Sequence, residues 1–122
     1  MKEMILPIEC SSGGACTISG TEAIIGKLYA VEYQFGNMDA TADLTLTCEG
    51  VAAKPLLTLT DQAAANAWLY PRDLVHAVTN GAALTGTAGG DRCLPLLAGI
   101  PKLIVAQGGT SKIGRLILYY ED

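Results

Sequence analysis

Ile24-Ile25-Gly26-Lys27-Leu28-Tyr29-Ala30-Val31-Glu32-Tyr33-Gln34-Phe35 is the stretch that decides the fold. It is rich in β-branched and aromatic residues, and its alternation predicts the longest strand of the chain. Leu28, Ala30 and Glu32 fall on one side, and Lys27, Tyr29, Val31, Tyr33 and Phe35 on the other. Tyrosines and a phenylalanine on an outward face need a second apolar layer above them, so the run predicts two packed layers rather than one open sheet.

Shorter runs of the same kind flank it. Met4 to Cys10 sets Met4, Leu6, Ile8 and Cys10 on one face, and Pro7 confines that strand to an edge or a first position because proline cannot donate to the ladder. Ser11-Ser12-Gly13-Gly14 is a turn, and Cys16-Thr17-Ile18-Ser19 re-enters the sheet as a hairpin that brings Cys10 near Cys16. Ala42 to Cys48 alternates with Leu44, Leu46 and Cys48 inward and Asp43, Thr45 and Thr47 toward water. Pro55 to Thr60 makes another strand. Ala65 to Tyr70 reads as a strand in preference to a helical turn capped by Asp61, with Trp68 and Tyr70 packed into the core at its end. Pro71 to Asn80 fits a short helix with proline at its first position and Gly81 as its stop. Gly81 to Asp91 is a long Gly/Ala/Thr connection of the kind that carries contacts. Lys102 to Gln107 and Arg115 to Tyr120 close the chain as strands joined by a glycine-rich hairpin loop, Gly108 to Lys112.

About eight short strands with turn signals every ~8 to 12 residues predict an all-β fold, an antiparallel β-sandwich or jelly-roll-like domain with at most one short helix. The 122 residues form one domain, residues 1–22 being an N-terminal arm and first strand placed to touch a partner. A chain of this length buries roughly two-thirds of the surface it exposes when unfolded, so it needs no staples to fold.

Half of the residues are hydrophobic but only 16% are charged, which leaves much neutral surface for a partner to cover. A net charge of -4, with eight scattered Lys and Arg, argues against nucleic-acid binding, which needs clustered cations. No apolar run approaches the ~20 residues of a membrane-spanning helix, and Met4-Ile5-Leu6-Pro7-Ile8 is too short and broken for a signal-peptide core, so synthesis in the cytoplasm is expected.

No pattern of reactive residues points to an enzyme, and no cofactor is implied. His76 is the one histidine, and Asp73 precedes it by three residues; on a helix the two would be neighbours, which is an ordinary surface pair unless a nucleophile lies within reach. Arg72, Asp73, Asp91 and Arg92 flank the Gly/Ala loop at both ends, either as solvated charge or as a network that fixes the loop's base and meets another subunit. Gly89-Gly90-Asp91 and Gly108-Gly109-Thr110 read as turns, because neither has the Lys-Ser/Thr ending or the strand-to-helix setting of a phosphate cradle. Tyr119 and Tyr120 either anchor a partner or fill the buried face of a final strand. Cys10, Cys16, Cys48 and Cys93 match no compact zinc pattern. They are reduced thiols in a cytosol and candidates for late disulfides, within the chain or between copies, outside it.

Gly26-Lys27-Leu28-Tyr29-Ala30-Val31-Glu32-Tyr33, Lys54-Pro55-Leu56-Leu57-Thr58, Trp68-Leu69-Tyr70-Pro71-Arg72, Gly89-Gly90-Asp91-Arg92 and the ending Leu118-Tyr119-Tyr120-Glu121-Asp122 carry a likeness to a known group. Over Ile24 to Asp122 the chain resembles small virion structural proteins encoded among the head and neck genes of tailed bacteriophages. The resemblance implies a non-enzymatic capsid decoration, cement or minor capsid protein that contacts the major capsid protein or other virion proteins, forms homo-oligomers and resides in the virion. A neck, collar or tail component is the alternative within that group. From another class, a carbohydrate-binding module would use an exposed Trp68 and the tyrosines as its platform.

Overall fold

A computed structural model describes residues 1–49, 54–74 and 92–122. Ten strands follow in chain order: β1 Lys2–Glu9, β2 Cys16–Ser19, β3 Ile24–Gln34, β4 Ala42–Glu49, β5 Lys54–Gln62, β6 Ala67–Leu69, β7 Asp73–Leu74, β8 Arg92–Cys93, β9 Leu96–Ala106 and β10 Ile113–Glu121. Every pairing is antiparallel, and among the described residues there is no helix. The class is therefore all-β and sandwich-like, as the alternating runs predict. Where a helix from Pro71 was expected, Asp73–Leu74 pairs instead with Arg92–Cys93, and residues 75–80 of that segment lie outside the described residues.

Eight strands share one hydrogen-bonded system that divides into two halves, β1-β10-β3-β6 and β2-β9-β4-β5. The halves meet along a seam where Ile24–Lys27 of β3 pairs with Leu96–Gly99 of β9. Beyond the seam the two strands run on in opposite directions and take separate partners, β6 for β3 and β2 for β9. Gly99 sits at the parting point with φ +124°, a conformation that only glycine adopts without strain, and it lets β9 turn from one half into the other.

Prolines obey the ladder rule. Pro7 lies in β1 and Pro55 in β5, both edge strands. Pro101 lies inside β9, yet its carbonyl accepts from Gly20 N at 2.7 Å, so its nitrogen faces the end of β2 and takes nothing from the ladder with β4.

The inward faces of both halves build one core. Leu6, Ile8, Leu28, Val31, Tyr33, Leu44, Leu46, Leu97, Leu103, Leu116 and Leu118 are all fully buried within it. Each such aliphatic side chain contributes roughly 1.5–3 kcal/mol by leaving water. Met38, in the β3–β4 connection, plugs one end, where the buried Tyr33 hydroxyl donates to its sulfur at 3.8 Å. Lys2 and Asp122 form an ion pair at 2.8 Å beside the β1–β10 ladder.

Three expectations are corrected. The faces of β3 change midway: Tyr119 opposes Ala30 but Tyr120 opposes Leu28, so Tyr29 is an extra residue, a β-bulge. Ile24 and Leu28 point inward before it and Val31 and Tyr33 after it, which places Tyr33 in the core rather than on an outer face. Neither expected hairpin pairs with itself: β2 bonds to β9 rather than to β1, and β10 bonds to β1 and β3 rather than to β9. Their turns carry the chain from one half to the other. Trp68 is 53% exposed and Tyr70 more so, because β6 is a short edge strand whose alternation turns both outward.

Candidate interaction surfaces

The outer face of the β1-β10-β3-β6 half follows from register. Ile5, Ile117, Glu32 and Trp68 form one row across it, and Pro7, Arg115 and Gln34 the next. Trp68 packs against Tyr119 with ring centroids 5.3 Å apart and planes tilted by 30°. The Tyr119 hydroxyl donates to Glu32 Oε1 at 2.9 Å, and Gln34 Nε2 donates to Glu32 Oε2 at 2.8 Å. Arg115 Nε donates in turn to Gln34 Oε1. The two bonds from Gln34 and Tyr119 hold the Glu32 carboxyl below the usual glutamate range, and the carboxylate raises the Tyr119 phenol. Ile117, although it belongs to this outer face between Ile5 and Glu32, is buried. An aromatic ring open to solvent next to an oriented carboxylate, an amide and a guanidinium can stack on a flat apolar face while accepting and donating hydrogen bonds at its rim.

A different surface runs along β9. Its outward residues are Leu96, Ala98, Ile100, Lys102, Ile104 and Ala106, and Leu96, Ile100 and Ile104 are exposed. Ile25 stands opposite Ala98 across the seam and is 78% exposed. Thr17 and Thr45 flank Ile104, and Thr47 flanks Lys102, whose ammonium lies 3.7 Å from Glu49. The stripe is apolar, bordered by hydroxyls and nearly uncharged, which is the composition of a protein interface rather than of a free strand.

The remaining candidates fall as follows. Arg72 is exposed, and its Nη1 donates to Tyr29 O at 3.1 Å and Pro71 O at 2.6 Å, tying the chain after β6 to the bulge of β3. Asp73 and Arg92 lie on β7 and β8, whose pairing draws the two ends of the Gly/Ala connection together through backbone. His76 and the whole of the Gly81–Asp91 loop, with Gly89-Gly90-Asp91, lie outside the described residues. Tyr119 stands on the outer face, whereas Tyr120 is buried in the core and has no ring surface to offer a partner. The Gly108-Gly109-Thr110 turn is tied to the β1–β2 turn through backbone: Gly108 N bonds to Gly14 O at 2.8 Å, and the next residue after the turn, Ser111, bonds through its N to Ser11 O at 3.1 Å. That is the behaviour of a packed turn and not of an anion cradle.

All four cysteines are thiols in the structure. Cys10 and Cys48 are buried, Cys16 is half-buried and Cys93 is exposed, so Cys93 is the thiol most open to a bond between copies. Cys10 and Cys16 do lie near each other, as their turn predicts, each close enough to act on the other's thiol. Among the described residues no group of His, Cys, Asp and Glu is arranged to hold a metal ion, and no helix is long and apolar enough to cross a membrane. The Glu32-Gln34-Arg115 network escaped the sequence reading because Gln34 and Arg115 lie 81 positions apart on two strands, and only the register of β3 with β10 makes them neighbours. No family model, curated protein or solved structure matches the chain.

Proposed function

We propose that the chain is a structural protein of a tailed-bacteriophage virion, a capsid decoration, cement or minor capsid protein that stabilises the head by binding the major capsid protein or its neighbours. The observation that supports this reading most is the exposed apolar stripe of β9 with Ile25, on a strand whose other side is locked into the core. Such a face leaves water only when something covers it, and repeated attachment over a particle lets modest contacts add. The same stripe is available to a homo-oligomer. Mass-spectrometric copy counting on purified particles, with localisation by electron microscopy, tests the reading: hundreds of copies on the head support it, a dozen at the neck or tail favour the collar or tail alternative, and absence from particles refutes both.

A second reading, a carbohydrate-binding module, is favoured by one specific observation: the open Trp68 ring beside the oriented Glu32 carboxylate. Binding on a glycan array that disappears in Trp68→Ala would support it, and an empty array would dismiss it.

A further inference from the structure

Cys10 follows the last residue of β1 and Cys16 opens β2, and the turn between them is closed by backbone bonds, Ser11 N to Ala15 O at 3.0 Å and Gly14 N to Ser11 O at 2.9 Å. The residues that flank this closure are held side by side. Cys10 is buried and Cys16 half-buried against the core, and the two thiols lie near enough for each to act on the other. Cys10 has little room to move away: a Cβ on Gly108 would come within 2.7 Å of its sulfur, so the β9–β10 connection presses against it. Cys10 N is itself fixed to Lys112 O at 2.8 Å. The two thiols are not at bonding distance, but they stand at the two ends of one closed turn, where a side-chain movement brings them together.

We propose that Cys10 and Cys16 are a disulfide site built into the fold, closed by exchange with a small-molecule disulfide such as oxidised glutathione. Cys16, the more accessible of the two, attacks one sulfur of the small disulfide as its thiolate and expels one small thiolate, leaving a mixed disulfide. The Cys10 thiolate then attacks the Cys16 sulfur, forms the Cys10–Cys16 bond and expels the second small thiolate. The protein gives up two protons and two electrons, and the small disulfide takes the electrons and ends as two thiols. Burial pushes both thiols above their ordinary range, so closure is slow near neutrality and faster as pH rises.

The bond joins the two halves. β1 is the edge of one half and β2 an edge of the other, so the disulfide fixes the N-terminal strand to the opposite half. A reducing cytoplasm leaves the site open and an oxidising exterior closes it. The inference does not depend on the virion reading.

The test uses the whole chain. Residues 3–27 are one tryptic peptide that carries Cys10 and Cys16 and neither of the other cysteines. After equilibration of the native protein with oxidised glutathione, alkylation and digestion, this peptide is expected to carry no alkyl group and to be lighter than the reduced peptide by two hydrogens, and dithiothreitol is expected to reverse both changes. The native chain is expected to cross-link this peptide in a more reducing glutathione buffer than the urea-unfolded chain does, because the fold holds the two thiols near each other. Alkyl or glutathionyl groups on both cysteines, or equal cross-linking of native and unfolded chains in the same buffer, would overturn the proposal.

Discussion

Glu32 and Trp68 face each other across β3 and β6, and Tyr119 touches both, so one exposed tryptophan reports on one carboxylate. Because the Glu32 carboxyl is lowered in the folded chain, its contribution to stability is present above the unfolded glutamate value of about 4.3 and is lost as pH falls through the lower folded value. Trp68 fluorescence is expected to be flat from neutrality down to the ordinary glutamate range and to change only below it, and Glu32→Gln is expected to remove that acid transition. Trp68→Ala forfeits an aromatic pair on the surface and is expected to cost about 1 kcal/mol in urea unfolding. Leu118→Ala, in the core, is expected to cost ~2–5 kcal/mol in the same measurement. Gly26 is a different kind of constraint. A Cβ there would come within 2.2 Å of Glu121 O, a backbone atom of the adjacent strand, so Gly26→Ala is expected to destabilise by about 1–3 kcal/mol despite its small change in volume.

The elements show which parts of the fold can be read from residue order and which cannot. Strands with one clean alternation, Met4 to Cys10 and Ala42 to Cys48, declare both their existence and their buried face, because period two and burial on one side leave a single consistent assignment. The β3 run declares a strand but not its faces. One extra residue at Tyr29 inverts the phase, and Glu32 and Tyr33 exchange sides relative to a straight strand. The turns likewise give positions without partners: Gly108 to Lys112 is a tight connection in either case, but whether it folds β10 back onto β9 or sends it to the other half depends on distant pairing. For the same reason residue order alone points Trp68 into the core. Its strand is too short to show a pattern, and only its place at an edge beside β3 turns it out. The stripe on β9 was hidden by its own composition, since Leu96 to Ala106 is apolar on both sides and reads as a fully buried strand.

At the scale of the whole molecule, the β9 stripe and the aromatic face predict separable behaviours. Ile104→Asp places a charge in the middle of the stripe on an exposed position, so the monomer is expected to keep its unfolding midpoint to within about 0.5 kcal/mol while particle attachment or self-association is lost. Sedimentation of the purified variant, paired with a particle-binding assay, measures both. Parallel loss of folding and attachment would assign Ile104 to the core of the fold instead. The low charge legible in the composition is borne unevenly: the Lys2–Asp122 pair lies at the edge of one half, and on the outward row of β9 Lys102, paired with Glu49, is the one charge among Leu96, Ala98, Ile100, Ile104 and Ala106.

The pairing of β1 with β10, residue by residue from Lys2 with Tyr120 to Glu9 with Ile113, has a consequence for synthesis. β1 has no ladder partner until β10 has been made, and its inner face stays open while the strands between them are synthesised. A nascent chain in that state shows Met4, Leu6 and Ile8 to the cytosol. Folding then waits on the long-range pairing of Lys2 with Tyr120 through Glu9 with Ile113, and non-local β topologies of this kind fold in roughly milliseconds to seconds. Stopped-flow refolding of the reduced protein is expected to fall in that slow range. Truncation before Ile113 should leave a chain that chaperones retain rather than a smaller sandwich.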